Sequence, residues 1–437
     1  MAKLLIKAGN IVTMNENDEV IQGGEIAVDG DRIVHVGPAG STPADFNADK
    51  ILGSEKMLAM PGFINCHTHA SMTLLRSYAD DLPLMKWLQE KIWPFEDNMT
   101  SEDNYWGAML CCVEMIKSGT TTFADMYMHM DRIAESVEKT GMRAVLSRGM
   151  IGIAPNGPRA LEESREFVRE YNGSAEGRVT CMFGPHAPYT CPPDYIRQAM
   201  EYAQELKVGI HIHLAETRQE FNDITEQYGK TPVQLMDSIG LFEQRVLAAH
   251  CVHLTDKDIE ILSAKKVGIA HNPESNMKLA SGIAPVQKLL DAGAIVGLGT
   301  DGASSNNNLD MLEELRSASL LQKVATEDAT VLSAPTALAM ATREGAKVLG
   351  MQDQIGMLKP GYKADIILFD MDKPHLYPLH NPVAHIAYAA SSADVDTTIV
   401  NGKVLMENRR VLTADENEVC AKASECAERL LKEAAGK

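Results

Sequence analysis

Histidines and carboxylates collect at the ends of short apolar runs in this chain. "PGFINCHTH" closes on His67 and His69, two residues apart. In a strand, residues i and i+2 point to the same face, so both imidazoles can grip one ion. "HIHLAE" carries His211, His213 and Glu216. His211 and His213 also share a face, leaving one as a ligand and the other as a deeper residue; His213, nearer the strand end, is favoured. Glu216 falls beyond the strand end, where a carboxylate could reach a metal-held water. "LAAHC" presents His250 and "GLGTDG" presents Asp301. Such nitrogen and oxygen donors suit zinc or ferrous iron. Cys66 and Cys251 adjoin the set, but neighbours in a strand face opposite ways, so both read as packing residues.

The elements that must position these residues follow from the texture around them. "GTTTFADMY", "RAVLSRGM", "RVTCMFGPH", "VGIHIHLAET", "RVLAAHCVHL", "KVGIAHNPE" and "AIVGLGTDG" are short apolar runs, separated by amphipathic stretches such as "PDYIRQAMEYAQELK". With "AMPGFINCHTH" they make eight strands alternating with helices, which predicts a parallel sheet closed into a (β/α)₈ barrel. In such barrels the chemistry sits where strands end, and the polar residues fall there. The flanks differ. "KLLIKAGNIVTM", "GGEIAVDGDRIVHVG", "KADIILFD" and "DTTIVNGKVLMENRRVL" are β-rich and carry Asp-Gly and Asn-Gly turn signals. Residues 1–57 and 360–412 are expected to pair into one small β-sandwich domain around the barrel of residues 58–359. Residues 413–437 read as an amphipathic C-terminal helix without evident chemistry.

Gly297, Gly299 and Gly302 spell GxGxxG, the dinucleotide-binding pattern. That pattern needs a helix opening at the third glycine, and here a polar loop, "ASSNNNLD", follows instead. These glycines are read as letting the chain turn tightly around Asp301. Acidic residues outnumber basic ones, 60 against 41, for a net charge of −19. This argues against nucleic acid or an anionic membrane as partner, since phosphate binding needs a basic footprint. No apolar run approaches the ~18 residues of a membrane helix. The start of the chain does not read as a secretory signal, and the eight cysteines do not read as a disulfide frame. A reduced, cytoplasmic protein is expected. The zinc-dependent cytidine-deaminase signature is absent, because no P-C-x-x-C occurs.

"PGFINCHTHASMTLLR", "WLQEKIWPFE", "HIHLAET", "AHNPESNMKLASGIAPV" and "GTDGASSNNNLDM" resemble the amidohydrolase superfamily. Within it they are most similar to the 5-methylthioadenosine/S-adenosylhomocysteine deaminases, from Gly9 to about Leu412. The resemblance implies metal ligands at His67, His69, His213 and Asp301, a catalytic acid at Glu216 and a water-orienting His250. It implies substrate contacts at Glu96, Arg148 and His186, with Arg159 as the match to a second arginine. Glu96 would suit a ribose diol, Arg148 an amino-acid carboxylate, and His186 a purine nitrogen; an ion pair with a nearby glutamate is the alternative for Arg148. Dinuclear relatives bridge two metals with a modified lysine on strand four. "RVTCMFGPH" has no lysine, so one divalent metal is expected, zinc first and iron second. Met72, Met85 and Met277 lie near the expected mouth, although core filling explains methionines equally well. The implied reaction is hydrolytic deamination of the adenine ring of 5′-methylthioadenosine and S-adenosylhomocysteine, with adenosine and 5′-deoxyadenosine as further candidates. Alternatives are a relative acting on a free base or triazine, and a non-catalytic assembly protein on the same fold. The oligomeric state is left open.

Overall fold

A computed structural model describes residues 2–435. Strands β1 (Lys3–Val12), β2 (Val20–Asp29), β3 (Arg32–Pro38) and β4 (Lys50–Pro61) come from the N-terminal flank. The next eight are β5 (Phe63–Thr68), β6 (Thr120–Tyr127), β7 (Arg143–Met150), β8 (Val179–Pro185), β9 (Gly209–Leu214), β10 (Val246–His250), β11 (Gly268–His271) and β12 (Ile295–Leu298). They pair in parallel, each with the next along the chain. All residues of β5, β6 and β9 are buried, as expected of strands covered on both faces. These eight are the runs singled out in the sequence.

Closure brings the first strand against the last. The amide of Asp301 donates to the carbonyl of His67 at 3.0 Å, and Asn65 bonds Thr300 through Nδ2–Oγ1 (2.7 Å) and Oδ1–N (3.0 Å). The glycine pattern has its explanation here, and it differs from the expectation of a tight turn. The left-handed conformation falls on Asp301 itself, at φ 60°. Gly297 and Gly299 instead make room. A β-carbon on Gly297 would sit 2.7 Å from Cys66 Sγ, and one on Gly299 would sit 2.8 Å from His67 N. Side chains at either position would force apart the seam that carries the site.

The flanks form the second sheet, completed by β13 (Ile366–Asp370), β14 (Val395–Val400), β15 (Lys403–Glu407) and β16 (Arg410–Val411). Its order is β16-β15-β14-β13-β4-β1-β2-β3, so β4 joins the two ends of the chain, parallel to β1 and antiparallel to β13. Ile6, Ile26 and Ile33 share one apolar cluster with Ile366, Leu368 and Ile399, so the mixed sheet curls over a core of its own. Asn401 (φ 53°) and Gly402 (φ 74°) make the predicted turn between β14 and β15. Buried Arg143, opening β7, pairs with Asp365 of the sheet region through two 3.0 Å contacts and locks sheet to barrel. The terminal helix, Glu416–Ala435, lies against the helix Ser101–Ser118, where Arg429 pairs with Asp103. Among the described residues no helix is long and apolar enough to cross a membrane, and all eight cysteines are free.

Candidate active site

The C-terminal ends of β5, β9, β10 and β12 deliver the polar residues to one place. The ligand atoms of His67, His69 and His213 lie within 4.8 Å of one another, as do those of His67, His250 and Asp301. Asp301 Oδ1 is 3.4 Å from His67 Nε2 and 3.2 Å from His69 Nε2. His213 Nε2 is 3.4 Å from His69 Nε2. A tetrahedron of ligands about 2.1 Å from a zinc ion has edges of about 3.4 Å. The donors therefore stand at coordination spacing.

Hydrogen bonds behind each ring aim it. His69 Nδ1 donates to the carbonyl of Met126 (2.6 Å), and His213 Nδ1 donates to that of His186 (2.8 Å). A carbonyl only accepts, so each Nδ1 carries a proton and Nε2 faces the centre, where a metal would take its lone pair. His67 Nδ1 meets His211 Nε2 at 2.9 Å, and His211 Nδ1 meets Ser147 Oγ at 3.3 Å. His211 is thus a deeper support, one layer below the site. His67 Nε2 is buried with no hydrogen-bond partner, an expensive state for a polar atom unless something is bound there. Asp301 takes hydrogen bonds from Ser275 Oγ (2.6 Å), Ser305 Oγ (2.9 Å) and its neighbour Gly302 N (2.8 Å). Burial opposes its ionisation, but the imidazoles of His67 and His69 hold it well below the usual carboxylate range. These donors fit a divalent metal.

Beside them, Glu216 lines the pocket with its Oε2 3.9 Å from His250 Nε2, and burial raises its pKa. His250 Nδ1 is 2.9 Å from Asn276 Oδ1, so the other ring nitrogen is left to the pocket. Ser275 and Asn276, adjacent in the short helix Pro273–Lys278 that follows β11, therefore support Asp301 and His250 respectively. In the sequence, "NPESN" carries a resemblance but no sign of this supporting role. Glu96 lines the same pocket, where Tyr127 Oη donates to its Oε1 at 2.5 Å; burial pushes the carboxyl up to about 7. His186 also lines the pocket, and burial with neighbouring imidazoles pushes it down to about 3, so the ring stays neutral. Leu84, Trp87, Leu88 and Trp93 add an apolar wall from an irregular helical segment, which the sequence marks through the resemblance of "WLQEKIWPFE" and not through any periodicity.

Arg148 and Arg159 stand elsewhere. Both bind Glu163, at 2.5 and 2.7 Å, in a hollow next to the main pocket that shares Met128 with it. Arg148 thus makes the glutamate pair that was its alternative reading, and Arg159 is largely in solvent. Of the three methionines named from the sequence, Met72 lines the pocket, Met85 packs against the core and Met277 is exposed. Buried Cys66 and Cys251 carry thiols that burial keeps protonated.

A closed parallel barrel with these donors at its C-terminal rim defines a class, the barrel proteins that hold a divalent metal over a reaction pocket. Residues 58–405 match the amidohydrolase family, and the chain belongs to that family. It is 62% identical to 5-methylthioadenosine/S-adenosylhomocysteine deaminase of Pelotomaculum thermopropionicum, over 99% of both chains. Identity to the protein of the same name from Desulforamulus reducens is 58%, over 98% of this chain and 99% of the relative. An adenosine deaminase from Xanthomonas campestris with bound zinc superimposes with a TM-score of 0.95 at 34% identity, covering 98% of both chains. Atrazine chlorohydrolase of Arthrobacter aurescens complexed with zinc gives 0.90 at 25% identity, over 97% of this chain and 100% of the other.

Proposed function

We propose that this protein hydrolytically deaminates the adenine ring of 5′-methylthioadenosine and S-adenosylhomocysteine, using one zinc ion held by His67, His69, His213 and Asp301. The observation that carries the reading is Glu216 beside the donor set in a pocket that Glu96 also lines. The relatives at 62% and 58% identity support the substrate class. The zinc-bearing neighbour supports the choice of metal.

When bound, a divalent cation lowers the pKa of water from 15.7 towards about 7. The chain's own groups do the rest. Asp301 Oδ1 and His250 Nε2 orient the attacking water and accept its proton. Glu216, made a weaker acid by burial, carries a proton to the ring nitrogen next to the amine-bearing carbon. A carbon–oxygen bond forms at the amine-bearing carbon, the proton taken from water passes to the amine, and the exocyclic carbon–nitrogen bond breaks to release ammonia. The new hydroxyl's proton returns to Glu216 and leaves the ring carbonyl. Glu96, ionised, accepts from two ribose hydroxyls, and neutral His186 donates to the purine. Leu84, Trp87, Leu88 and Trp93 exclude water from the ring. Arg148 would reach the amino-acid end of S-adenosylhomocysteine only by exchanging Glu163 for that carboxylate, a swap of like partners. Eight free cysteines support a reducing, cytosolic setting.

The test is a panel of adenine nucleosides, free adenine and a chlorinated triazine, scored by ammonia or chloride release on protein of measured metal content. Turnover of 5′-methylthioadenosine and S-adenosylhomocysteine above the rest is expected. Preference for the triazine, or no turnover by metal-replete protein, overturns the reading.

A further inference from the structure

The turn that presents Glu216 is built on an unfavourable conformation. Ala215 follows β9 at φ 53°, a left-handed value that residues other than glycine seldom adopt. Thr217 then caps the helix Arg218–Tyr228, its Oγ1 accepting from Glu220 N at 3.1 Å. In a Thr-x-x-Glu capping box the glutamate side chain returns to the amide of the cap residue. Here it reaches further back. Glu220 Oε1 accepts from Ala215 N at 2.9 Å, and Oε2 accepts from Glu216 N at 2.8 Å. Those two amides belong to the peptide planes on either side of Ala215. One carboxylate therefore pins both dihedral angles of the strained residue.

Glu220 is buried, with 4% of its surface exposed, and it does not line the pocket. The carbonyl of Ala215 accepts from Val252 N (3.0 Å) and His253 N (2.9 Å), which ties the same turn to the chain just past His250. The Glu216 carboxylate and the His250 ring are thus both mounted around Ala215. We propose that Glu220 is a positioning residue, its carboxylate holding the Ala215–Glu216 backbone in the one conformation that puts the Glu216 side chain beside His250 and Asp301. This rests on the reading of Glu216 as the proton carrier.

Glu220→Gln keeps the size of the side chain but turns one accepting oxygen into an NH₂ group facing an amide N–H. A catalytic group displaced by about 1 Å can cost on the order of 100-fold in rate. The variant should lose kcat on that scale, with KM within about twofold and full metal content. Measured again in a Glu216→Gln background, Glu220→Gln should add almost nothing, because the group it positions is gone. A merely structural role would instead multiply the two losses. Glu220→Asp keeps the carboxyl group but shortens the reach, and it serves if the glutamine variant does not fold; the same kcat-selective loss is expected. Wild-type kcat in either variant, or independent losses in the double mutant, overturns the proposal. Wild-type protein inactive on every adenine nucleoside would instead refute the functional reading, so the two failures are distinguishable.

Discussion

Two clusters of buried polar groups, one at each end of the barrel, are satisfied in opposite ways. At the N-terminal end of β7, Arg143 and Asp365 make two 3.0 Å contacts, Asn401 Oδ1 accepts from the guanidinium at 3.2 Å, and Asn401 N donates to the carboxylate at 2.7 Å. That end is closed. At the other end, hydrogen bonds hold each imidazole from behind, while His67 Nε2 is left without a partner. A polar group buried and unbonded costs about 1–3 kcal/mol, so its persistence marks a place that stability alone does not explain. The comparison teaches that one barrel can put its cohesion at one rim and its chemistry at the other.

Replacing His67 with Ala should break the contrast most completely. Metal content and turnover should vanish together, read by metal analysis and ammonia release, while the far rim keeps the protein folded; an active metal-free variant would refute the site. Glu216→Gln should separate binding from chemistry. It should retain metal and lose about 10²–10⁴-fold in kcat, the usual contribution of a positioned general acid–base. Near-wild-type turnover would remove Glu216 from the mechanism.

At the closed rim, Arg143→Ala should destabilise by about 3–5 kcal/mol, because it strands Asp365 in the interior. Denaturant unfolding measures this, and KM should not move. Replacing both partners with apolar residues should recover much of the loss. If Arg143→Ala changed KM without changing stability, the division between the rims would be wrong. The smallest effect is expected at the pocket wall. Glu96→Ala should weaken kcat/KM for nucleosides by about 10–100-fold, the worth of hydrogen bonds to a charged group, and leave free adenine little changed. Burial sets the Glu96 carboxyl at about 7, and its ionised form is the one that accepts the diol. Nucleoside kcat/KM should therefore rise with pH through that region, and Glu96→Gln should flatten the rise. An equal penalty on adenine would assign Glu96 to the base rather than the sugar.

Much of the fold was legible because its signals are local. Each barrel strand is a short apolar run ending in a polar residue, and buried parallel strands must read that way. The placing of His67, His213 and His250 at strand ends could be read from the same runs. Other features depend on approach between distant segments. Gly297 and Gly299 look like a phosphate-binding loop until the seam with β5 explains them. "WLQEKIW" carries no helical signature of a pocket wall, because its conformation is irregular. Thr217-x-x-Glu220 is common capping chemistry, so its use as a clamp on the Ala215–Glu216 backbone leaves no local trace. Arg148 sits on a strand end like the donors, yet Glu163, brought in by the following helix, claims its guanidinium.

By itself the amino-acid order determined the alternation of strand and helix, the pairing of β-rich flanks and the chemical types available at the barrel rim. These follow from side-chain polarity and periodicity over a few residues. Only the tertiary structure decided which nitrogen of each imidazole faces the centre, and which carboxylates serve the pocket rather than its scaffold. Those choices depend on hydrogen-bond partners tens to hundreds of residues away, such as the pairing of Thr300 with Asn65, and three-dimensional closure alone brings them within reach.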